Sequence, residues 1–514
     1  MLLTACPGEQ PEEEADPVKE LIVGLSAPGS LDPSKASTES AFTILRTACD
    51  GLTALDPETG EARAALAESW DASDEAKLLK IKLRPGVRFH DGRPVGAQAV
   101  RESLSVVARP ETASPHASLL SAVQGFEEVV AGTNPLLEGI KVVGELDLEI
   151  RSTRPFPDLP AVLAHPSLIP VSRTEADRPP FCAGPYVIEQ GAAESDFRLK
   201  QTPAKVGKNE AYASDGRGEN EVIVVRGFGS DEEAFEAFKG GGVSISPVPN
   251  TRAAEAEALR RGYVLIAVPE ITYMQFDPAP EPPDPRVRRA LSLAIDRLVI
   301  IDAAYGDRRP PALRWLGDPE GEGTAACEES IRRIADVERA KQTAGASGVD
   351  LAGLKMPLIF DTAEVPAVVI QAIQAQVRDS LGITLVPSGK EPPDFQAALG
   401  ERQAGALWLL STTVQTPAPD DVFADVFRTG GADNRLGYSN PALDAVLDRA
   451  AKSPGKERDE AFLDAEKMVC QEMPGIPLWH EVRHWMVAPD AVDFEKRDSF
   501  DLLGSPVLRH AKAI

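Results

Sequence analysis

The stretch from Lys80 to Val100, KIKLRPGVRFHDGRPVGAQAV, carries two patterns that meet at one turn. In its first half, apolar residues alternate with basic ones, which predicts a half-buried strand that bends at Pro85-Gly86. Asp91-Gly92 then offers the positive-φ position of a tight turn. After Pro94 the apolar residues change to helical spacing. The stretch therefore predicts a strand, a turn and a helix in an α/β protein.

Further motifs occur on both sides of this stretch. In chain order they are SLDP from Ser30, DGL from Asp50, LAESW from Leu66, SDE from Ser73, LRPGVRFHDGRPV from Leu83, AGPY from Ala183, DPRVRRALSLAIDR from Asp284, GYSNPALDAVLDRA from Gly437 and PGIPLW from Pro474. Together they resemble the signature of the family 5 periplasmic solute-binding proteins. These are the receptors that deliver peptides, and in some members nickel, opines or sugars, to ABC importers. The resemblance extends from about Leu21 to the C-terminus.

This resemblance implies a two-lobed α/β clamshell of the periplasmic-binding-protein type II, cluster C-like, with an extra subdomain on the first lobe. The implied divisions are a lipoprotein N-terminus and acidic tether at 1–20, lobe 1 at 21–54, 165–268 and 482–514, its subdomain at 55–164, and lobe 2 at 269–481. The prolines from Pro278 to Pro285 predict a rigid connector into lobe 2. The ligand is expected between the lobes.

The segment after this connector predicts a helix, with Asp284 as its N-cap and Pro285 at its first position. Apolar residues recur on one face of this helix. The opposite face carries Arg286, Arg289 and Arg297, which we expect to be solvated charges without a function. Strands and helices alternate along the rest of the chain, which is typical of α/β layering.

Composition limits the partners of the chain. With 514 residues, 43% of them hydrophobic, it can bury more than one core. A formal net charge of −26 argues against a nucleic-acid partner and against adsorption to anionic lipid, because both need clustered lysine and arginine. The sequence has no run of about 18 apolar residues, so it predicts no membrane-spanning helix.

A lipid anchor is nevertheless predicted at the N-terminus. Leu3-Thr4-Ala5-Cys6 resembles a bacterial lipobox, in which small residues precede a cysteine that becomes diacylated. The acidic segment that follows is typical of a solvated tether. The five residues before Cys6 are too few for a signal peptide, so we expect either a start codon assigned too late or a trimmed signal. The alternative is a chance cysteine near a start site.

The remaining cysteines are Cys49, Cys182, Cys327 and Cys470. In an exported protein they permit two disulfides, with three possible connectivities, and the residues alone leave the connectivity open. None of their spacings is typical of a zinc knuckle. The family resemblance places Cys49 and Cys182 in the first lobe, which favours that pair.

The string HEVRH, His480 to His484, matches the H-E-x-x-H pattern of zinc peptidases and is the main enzymatic alternative. That chemistry needs both histidines on one helical turn, with Glu481 activating a metal-bound water. The resemblance instead implies an extended crossover strand, on which the two histidines would lie about 13 Å apart. Because the chain has six histidines in all, no third ligand nearby and no G-x-S-x-G sequence, we expect no enzyme, no metal and no cofactor.

The candidate ligand-binding segment is STTVQTPAPDDVF, Ser411 to Phe423. Peptide-binding members of the family carry a stretch like GWxADYPDPDNF here. Its tryptophan packs on a ligand side chain, and its first aspartate pairs with the peptide ammonium group. These positions are Thr412 and Gln415 in this chain, so both anchors differ. A buried ammonium needs a carboxylate, because an amide oxygen returns only part of the desolvation cost, and Glu39 near the lobe 1 rim or Asp420 could supply it.

The sequence therefore predicts a monomeric substrate-binding lipoprotein of an ABC transporter, held in the periplasm or at the cell surface by a lipid on Cys6. We expect it to capture a peptide or peptide-like solute with Glu39, Thr412, Gln415 and Asp420 and to deliver it to the permease. Peptides with free N-termini should bind weakly, and N-blocked peptides or neutral or polyhydroxylated solutes at least as well. A lipoprotein that binds a non-peptide solute, or serves a sensor in place of a permease, is the alternative.

Overall fold

A computed structural model gives the fold of the chain. It describes residues 20–56, 59–172, 181–193, 195–202, 218–278, 283–306, 308–315, 327–351, 353–412, 423, 426–431, 433–453, 455–490, 492–493, 500–501 and 503–514. Three of the predicted site residues, Cys6, Gln415 and Asp420, lie outside these ranges, and so does most of the predicted acidic tether.

The strands are numbered in chain order. They are β1 (Leu21–Ser26), β2 (Thr53–Leu55), β3 (Ala62–Ala64), β4 (Ala67–Ser73), β5 (Leu78–Leu83), β6 (Ile140–Val142), β7 (Asp147–Arg151), β8 (Tyr186–Gln190), β9 (Phe197–Gln201), β10 (Val222–Phe228), β11 (Ile245–Pro247), β12 (Tyr263–Phe276), β13 (Lys355–Asp361), β14 (Thr384–Lys390), β15 (Leu407–Ser411), β16 (Gly475–Val487), β17 (Val492–Asp493) and β18 (Lys512–Ala513).

The helices are interleaved with these strands. They are α1 (Glu39–Ala48), α2 (Ala97–Ala108), α3 (Phe126–Val130), α4 (Leu159–Val162), α5 (Asp231–Lys239), α6 (Ala253–Ala258), α7 (Pro285–Leu293), α8 (Arg297–Tyr305), α9 (Val337–Gly345), α10 (Ala367–Leu381), α11 (Pro392–Glu401), α12 (Pro441–Lys452) and α13 (Gly455–Glu472). Within the described ranges, no helix is long and apolar enough to cross a membrane.

One ten-stranded sheet runs through the molecule in the order β14-β13-β15-β12-β16-β11-β1-β10-β9-β8. β13 is parallel to both β14 and β15, and β1 is parallel to β10, whereas the central strands β12 and β16 are antiparallel to each other. A separate four-stranded sheet, β4-β5-β7-β6, contains the strand of the signature stretch. This mixture of parallel and antiparallel strands with helices confirms the predicted α/β class.

The strands β12 and β16, with 14 and 13 residues, join the two halves of the large sheet, and we call them the hinge strands. They pair in two blocks, Tyr263–Ala267 with Val482–Met486 and Ile271–Gln275 with Gly475–His480, and the register shifts between the blocks. At the first block β16 also pairs with β11, and at the second β12 also pairs with β15. Each hinge strand therefore belongs to both lobes.

Separate hydrophobic cores support the predicted division of the chain. One core draws its residues from 271–479, a second from 52–168 with Ala183, and a third from 21–49, 169–245 and 485–511. Each core buries its own apolar surface, which is the main favourable contribution to folding. The three cores draw on the same parts of the chain as the predicted lobe 2, subdomain and lobe 1, and this division into domains stays a prediction.

The signature stretch folds much as its pattern predicts. Its strand is β5, and Gly92 has φ of +85° in the predicted turn. The N–H of Phe89 donates to the carbonyl of Arg93 at 2.8 Å and closes that turn. The helix α2 begins at Ala97, three residues later than the pattern predicts, because Gly96 is its N-cap.

The helix predicted after the connector is two helices. Asp284 caps α7 with Pro285 in its first turn, as predicted, but Asp296 caps a second helix, α8. The prediction that Arg297 is solvated is therefore wrong. Its side chain is 0% exposed and donates from Nε to the carbonyl of Pro477 at 2.8 Å, and burial lowers the pKa of Arg297 to about 9. The break in the helix turns this residue away from the solvated face.

Two disulfides join Cys49 to Cys182 and Cys327 to Cys470. The first is the pair that the family resemblance favours. The second attaches Cys327 to α13 in lobe 2. Each bridge closes a loop within the residues assigned to one lobe, so neither of them restrains the lobes against each other.

Candidate ligand-binding cleft

The candidate site lies where the hinge strands pass from one lobe to the other. Side chains alternate across a strand, so Glu481 and Arg483 of β16 share one face. Arg483 donates to Glu270 of β12 at 2.8 Å, and the hydroxyl of Thr272 donates to Glu481 at 2.7 Å. We call these four residues the cleft floor. Its charges are only partly exposed, with 35% for the Arg483 side chain and 20% for Glu270.

Neighbouring residues fix Glu481 firmly on this floor. Arg309 forms an ion pair with one carboxylate oxygen, and the indole N–H of Trp479 donates to the other at 3.0 Å. The guanidinium of Arg309 also lies 3.9 Å from the ring centroid of Tyr305. Because the side chains of Arg309 and Glu481 are 5% and 15% exposed, each charge depends on the other for stabilisation. Glu481 is therefore part of the framework of the floor.

The string HEVRH lies in β16, which confirms the predicted crossover strand. His480 and His484 are buried on the strand face opposite Glu481. Nδ1 of His484 forms a 2.7 Å hydrogen bond with the hydroxyl of Tyr263, and burial together with nearby arginines lowers the pKa of His484 to about 4. In the part of the chain that the structure describes, no group of three or more His, Cys, Asp or Glu could hold a metal ion. These contacts assign packing roles to the histidines.

Glu39 lies at the first position of α1, and its predicted place near the lobe 1 rim stays a prediction. Arg46 is 3.5 Å from Glu39 but 2.5 Å from Asp501, so Asp501 is its main partner. Although 42% of the Glu39 side chain is exposed, desolvation by the surrounding protein raises its pKa to about 6, and Arg46 opposes this change. Desolvation disfavours the charged form of a carboxyl group, which accounts for the direction of this shift in the pKa.

The charges of the floor affect the pKa values of Glu39, from lobe 1, and of Glu364, from lobe 2. The pKa of Glu39 responds to Arg483 and Glu270. Glu364 follows β13 in lobe 2, where desolvation and then the negative charge of Asp361 raise its pKa, with smaller contributions from Glu481 and Glu270. Glu270 therefore contributes to the raised pKa of both carboxylates.

Thr412 follows β15 and is 4% exposed. Its hydroxyl oxygen accepts the N–H of Ile271 at 2.8 Å, and its own N–H donates to the carbonyl of Ile271 at 2.9 Å. These bonds fix the end of β15 to a hinge strand. Ligand binding by Thr412 stays a prediction, as does that by Gln415 and Asp420, which lie outside the described residues.

The ligand-binding residues predicted from the sequence include none of the four floor residues, and ligand binding by Glu39 stays a prediction. Glu270 and Arg309 belong to no motif in the chain. Glu481 and Arg483 occur inside HEVRH, and strict alternation along a crossover strand was the signal that could have shown their common face.

Comparison with known protein sequences finds relatives that extend along most of the chain. The model of the family described as "Bacterial extracellular solute-binding proteins, family 5 Middle" matches residues 61–434. The chain is 25% identical over 469 residues to the probable deoxycholate-binding periplasmic protein YgiS of Escherichia coli strain K12, covering 89% of this chain and 86% of that protein. It is 22% identical over 504 residues to the periplasmic oligopeptide-binding protein OppA of the same strain, covering 92% and 89%.

Solved structures share the whole fold. The unliganded open form of the periplasmic murein tripeptide binding protein MppA has a TM-score of 0.82 at 20% identity, covering 97% of this chain and 98% of that one. Listeria monocytogenes OppA bound to peptide has a TM-score of 0.67 at 20% identity, covering 97% and 99%. The two-lobed fold is therefore common to this chain and these binding proteins from end to end.

Proposed function

Because the chain belongs to the bacterial extracellular solute-binding proteins of family 5, which are substrate-binding proteins and not enzymes, we propose that it captures a peptide or peptide-like solute between its lobes and delivers it to an ABC permease. The observation that carries the proposal is the partly exposed charged floor on the two strands that join the lobes. The names of the relatives, which mention oligopeptide and deoxycholate, support a small organic solute.

Capture requires that the lobes move. The higher TM-score with the unliganded open form than with peptide-bound OppA supports an open arrangement of this chain. A ligand that contacts both lobes then shifts the population toward a closed arrangement, because only that arrangement makes both sets of contacts. Glu39 of α1 and Glu364 after β13 are two carboxylates whose pKa values both respond to Glu270 of the floor, and we expect such closure to bring them to the ligand.

Mass spectrometry of the solute that copurifies with the native protein, followed by uptake assays, tests this function. We expect cells without the gene to lose uptake of that solute and to regain it with the wild-type gene. If uptake continues without the gene while the protein still binds the solute, delivery to a permease is contradicted, and the sensor alternative is favoured.

We also propose lipid anchoring at Cys6, supported by the lipobox-like residues Leu3 to Cys6. With a full signal peptide restored, Cys6→Ser should move the protein from the membrane fraction to the soluble periplasmic fraction, whereas Cys6 itself should carry the lipid in the wild type. Unchanged membrane retention of the variant would contradict the proposal.

For the ligand, we propose that a free N-terminal ammonium group adds little to affinity. Gln415 stands where an aspartate pairs with that group in peptide-binding members, and loss of such a pair costs about 2 to 5 kcal/mol. In calorimetric titrations, the wild type should bind trialanine no better than N-acetyl-trialanine, and Gln415→Asp should gain at least tenfold for the free peptide. A tenfold wild-type preference for the free peptide that Glu39→Gln abolishes would contradict this proposal and assign the ammonium group to Glu39.

A further inference from the structure

Lobe 2 encloses polar side chains that no protein group in the described part of the chain satisfies. They are the hydroxyl of Tyr273, both amide atoms of Gln275 and the indole nitrogens of Trp315 and Trp408. Each of the four side chains is at most 1% exposed. Buried polar groups are nearly always hydrogen-bonded, because an unpaired group keeps its full desolvation cost. The polar atoms of these four side chains therefore need hydrogen-bond partners.

The four side chains lie close together. Tyr273 and Gln275 share a face of β12, because they are two residues apart. Gln275 is directly paired with Trp408 on β15 and with Gly475 on β16, so these residues lie on the same face. The ring of Trp315 lies 5.3 Å from that of Tyr273 and covers Gly475, whose added Cβ would be 3.2 Å from it. Neighbouring strands are about 4.8 Å apart, so one small cluster of ligands can reach all four.

The chemistry of these groups selects the ligand. The two indoles only donate hydrogen bonds, whereas the Tyr273 hydroxyl and the Gln275 amide both donate and accept. A bound anion would leave the acceptor oxygen of Gln275 unpaired, and an apolar molecule would leave every group unpaired. Water both donates and accepts, and a buried water typically makes about three hydrogen bonds to such groups.

We propose that Tyr273, Gln275, Trp315 and Trp408 hold a cluster of ordered water molecules inside lobe 2, which we call the chamber. Aromatic packing closes it, since Trp315 contacts Phe427 edge to face with centroids 4.7 Å apart. The chamber lies under the β12–β15 pair that ends in Thr272 and Ser411 at the cleft floor, whose hydroxyls are 2.9 Å apart. It is a hydration site within the lobe, and it does not depend on which solute the cleft binds.

Replacement of Gln275 by methionine tests the chamber, because methionine has a similar length and no hydrogen-bonding amide. The matched control is Gln374→Met on α10, which loses one hydrogen bond of 2.9 Å to the carbonyl of Leu385. We expect Gln275→Met to lower Tm by ~2 to 4 °C, at least as much as the control, because the waters lose partners that they hold in the wild type. An unchanged or raised Tm would mean that the amide was unpaired, and would overturn the proposal.

A high-resolution crystal structure of the wild-type protein gives a second test that does not depend on a variant. We expect water peaks within hydrogen-bonding distance of Gln275 and of at least two of the other three side chains. Featureless density in the chamber overturns the proposal. A bromide peak at these groups after a bromide soak also overturns it, because it identifies an anion site.

Discussion

The cleft floor and the chamber are two polar regions of one sheet that satisfy their polar groups differently. On the floor, charge pairs with charge, as Arg483 does with Glu270, and both side chains stay partly exposed. In the chamber, neutral groups such as those of Tyr273 and Gln275 are fully buried and have no hydrogen-bond partner among the residues that the structure describes. The difference is that the charges of Arg483 and Glu270 are paired and partly exposed, whereas the four side chains of the chamber are neutral. An unpaired neutral group costs less free energy to bury than an unpaired charge, so the chamber groups that are buried without a partner in the described part of the chain are neutral ones.

Removal of the cation that pairs with Glu481 of the floor should have the largest effect on stability. Arg309→Met leaves Glu481 mostly buried without its cation, and we expect the free energy of unfolding to fall by about 3 kcal/mol. The matched control is Arg261→Met, which breaks an ion pair with Asp490 whose side chains are 59% and 65% exposed. The control should change stability by less than about 0.5 kcal/mol in the same denaturant titration. Equal losses in both variants would refute the claim that burial makes the Arg309 pair important.

A larger side chain at Gly504, which packs against Arg483 of the floor, should have an intermediate effect on stability. Gly504 has φ of +79°, and a Cβ added there would lie 2.7 Å from Cγ of Arg483 and 2.9 Å from Cγ1 of Val268. We expect Gly504→Ala to lower the free energy of unfolding by about 2 kcal/mol, from backbone strain and overpacking together.

Gly430 provides the control for this substitution. It has a similar φ of +73° and no atom within 4 Å of an added Cβ, so Gly430→Ala should show only the backbone strain of about 1 kcal/mol. If the two alanine variants lose the same stability in chemical unfolding, the C-terminal loop does not pack tightly on the floor.

Removal of the Glu39 carboxylate should have the smallest effect on stability, and this effect should depend on pH. Its pKa of about 6 lies above the ordinary 4.5, so the folded protein binds this proton more tightly than the unfolded chain. The stabilisation that comes from this tighter proton binding is fully present below pH 4.5 and is lost as the pH rises through 6. Glu39→Gln should therefore match the wild type at the acidic end and be more stable near neutral pH. The gain should be under about 1 kcal/mol, because solvent screens a side chain that is 42% exposed.

Thermal unfolding of both proteins across this pH range measures that gain. A constant difference between them would show that the surrounding protein does not raise the pKa of Glu39. A gain near neutral pH would show that the carboxylate is retained at a cost in stability, which is typical of a residue with a function.

Much of the fold could be predicted because its signals are local. Asp284 and Pro285 start a helix through contacts within one turn, and Gly92 forms its turn with residues next to it. Arg297 could not be placed this way. Its buried position depends on the carbonyl of Pro477, 180 residues away, which helical periodicity cannot report. The bridge between Cys327 and Cys470 likewise depends on the packing of lobe 2, since a spacing of 143 residues carries no information about pairing.

The candidate site was harder to predict, because it depends on the register of two distant strands. Glu270 and Arg483 are separated by 213 residues and meet only when β12 and β16 pair with a register shift. The string HEVRH suggests a metal site when it is read as a helix. On the observed strand the same letters place Glu481 on one face and both histidines on the other, so geometry and not composition assigns their roles.

The central claim is that a solute binds between lobes joined by β12 and β16. Small-angle X-ray scattering of the solute-free protein, before and after saturation with the solute that mass spectrometry identifies, tests this claim most directly. The account predicts a smaller radius of gyration in the saturated protein, because a ligand that contacts both lobes favours their closure. Calorimetric binding of the same solute with an unchanged radius of gyration would contradict it.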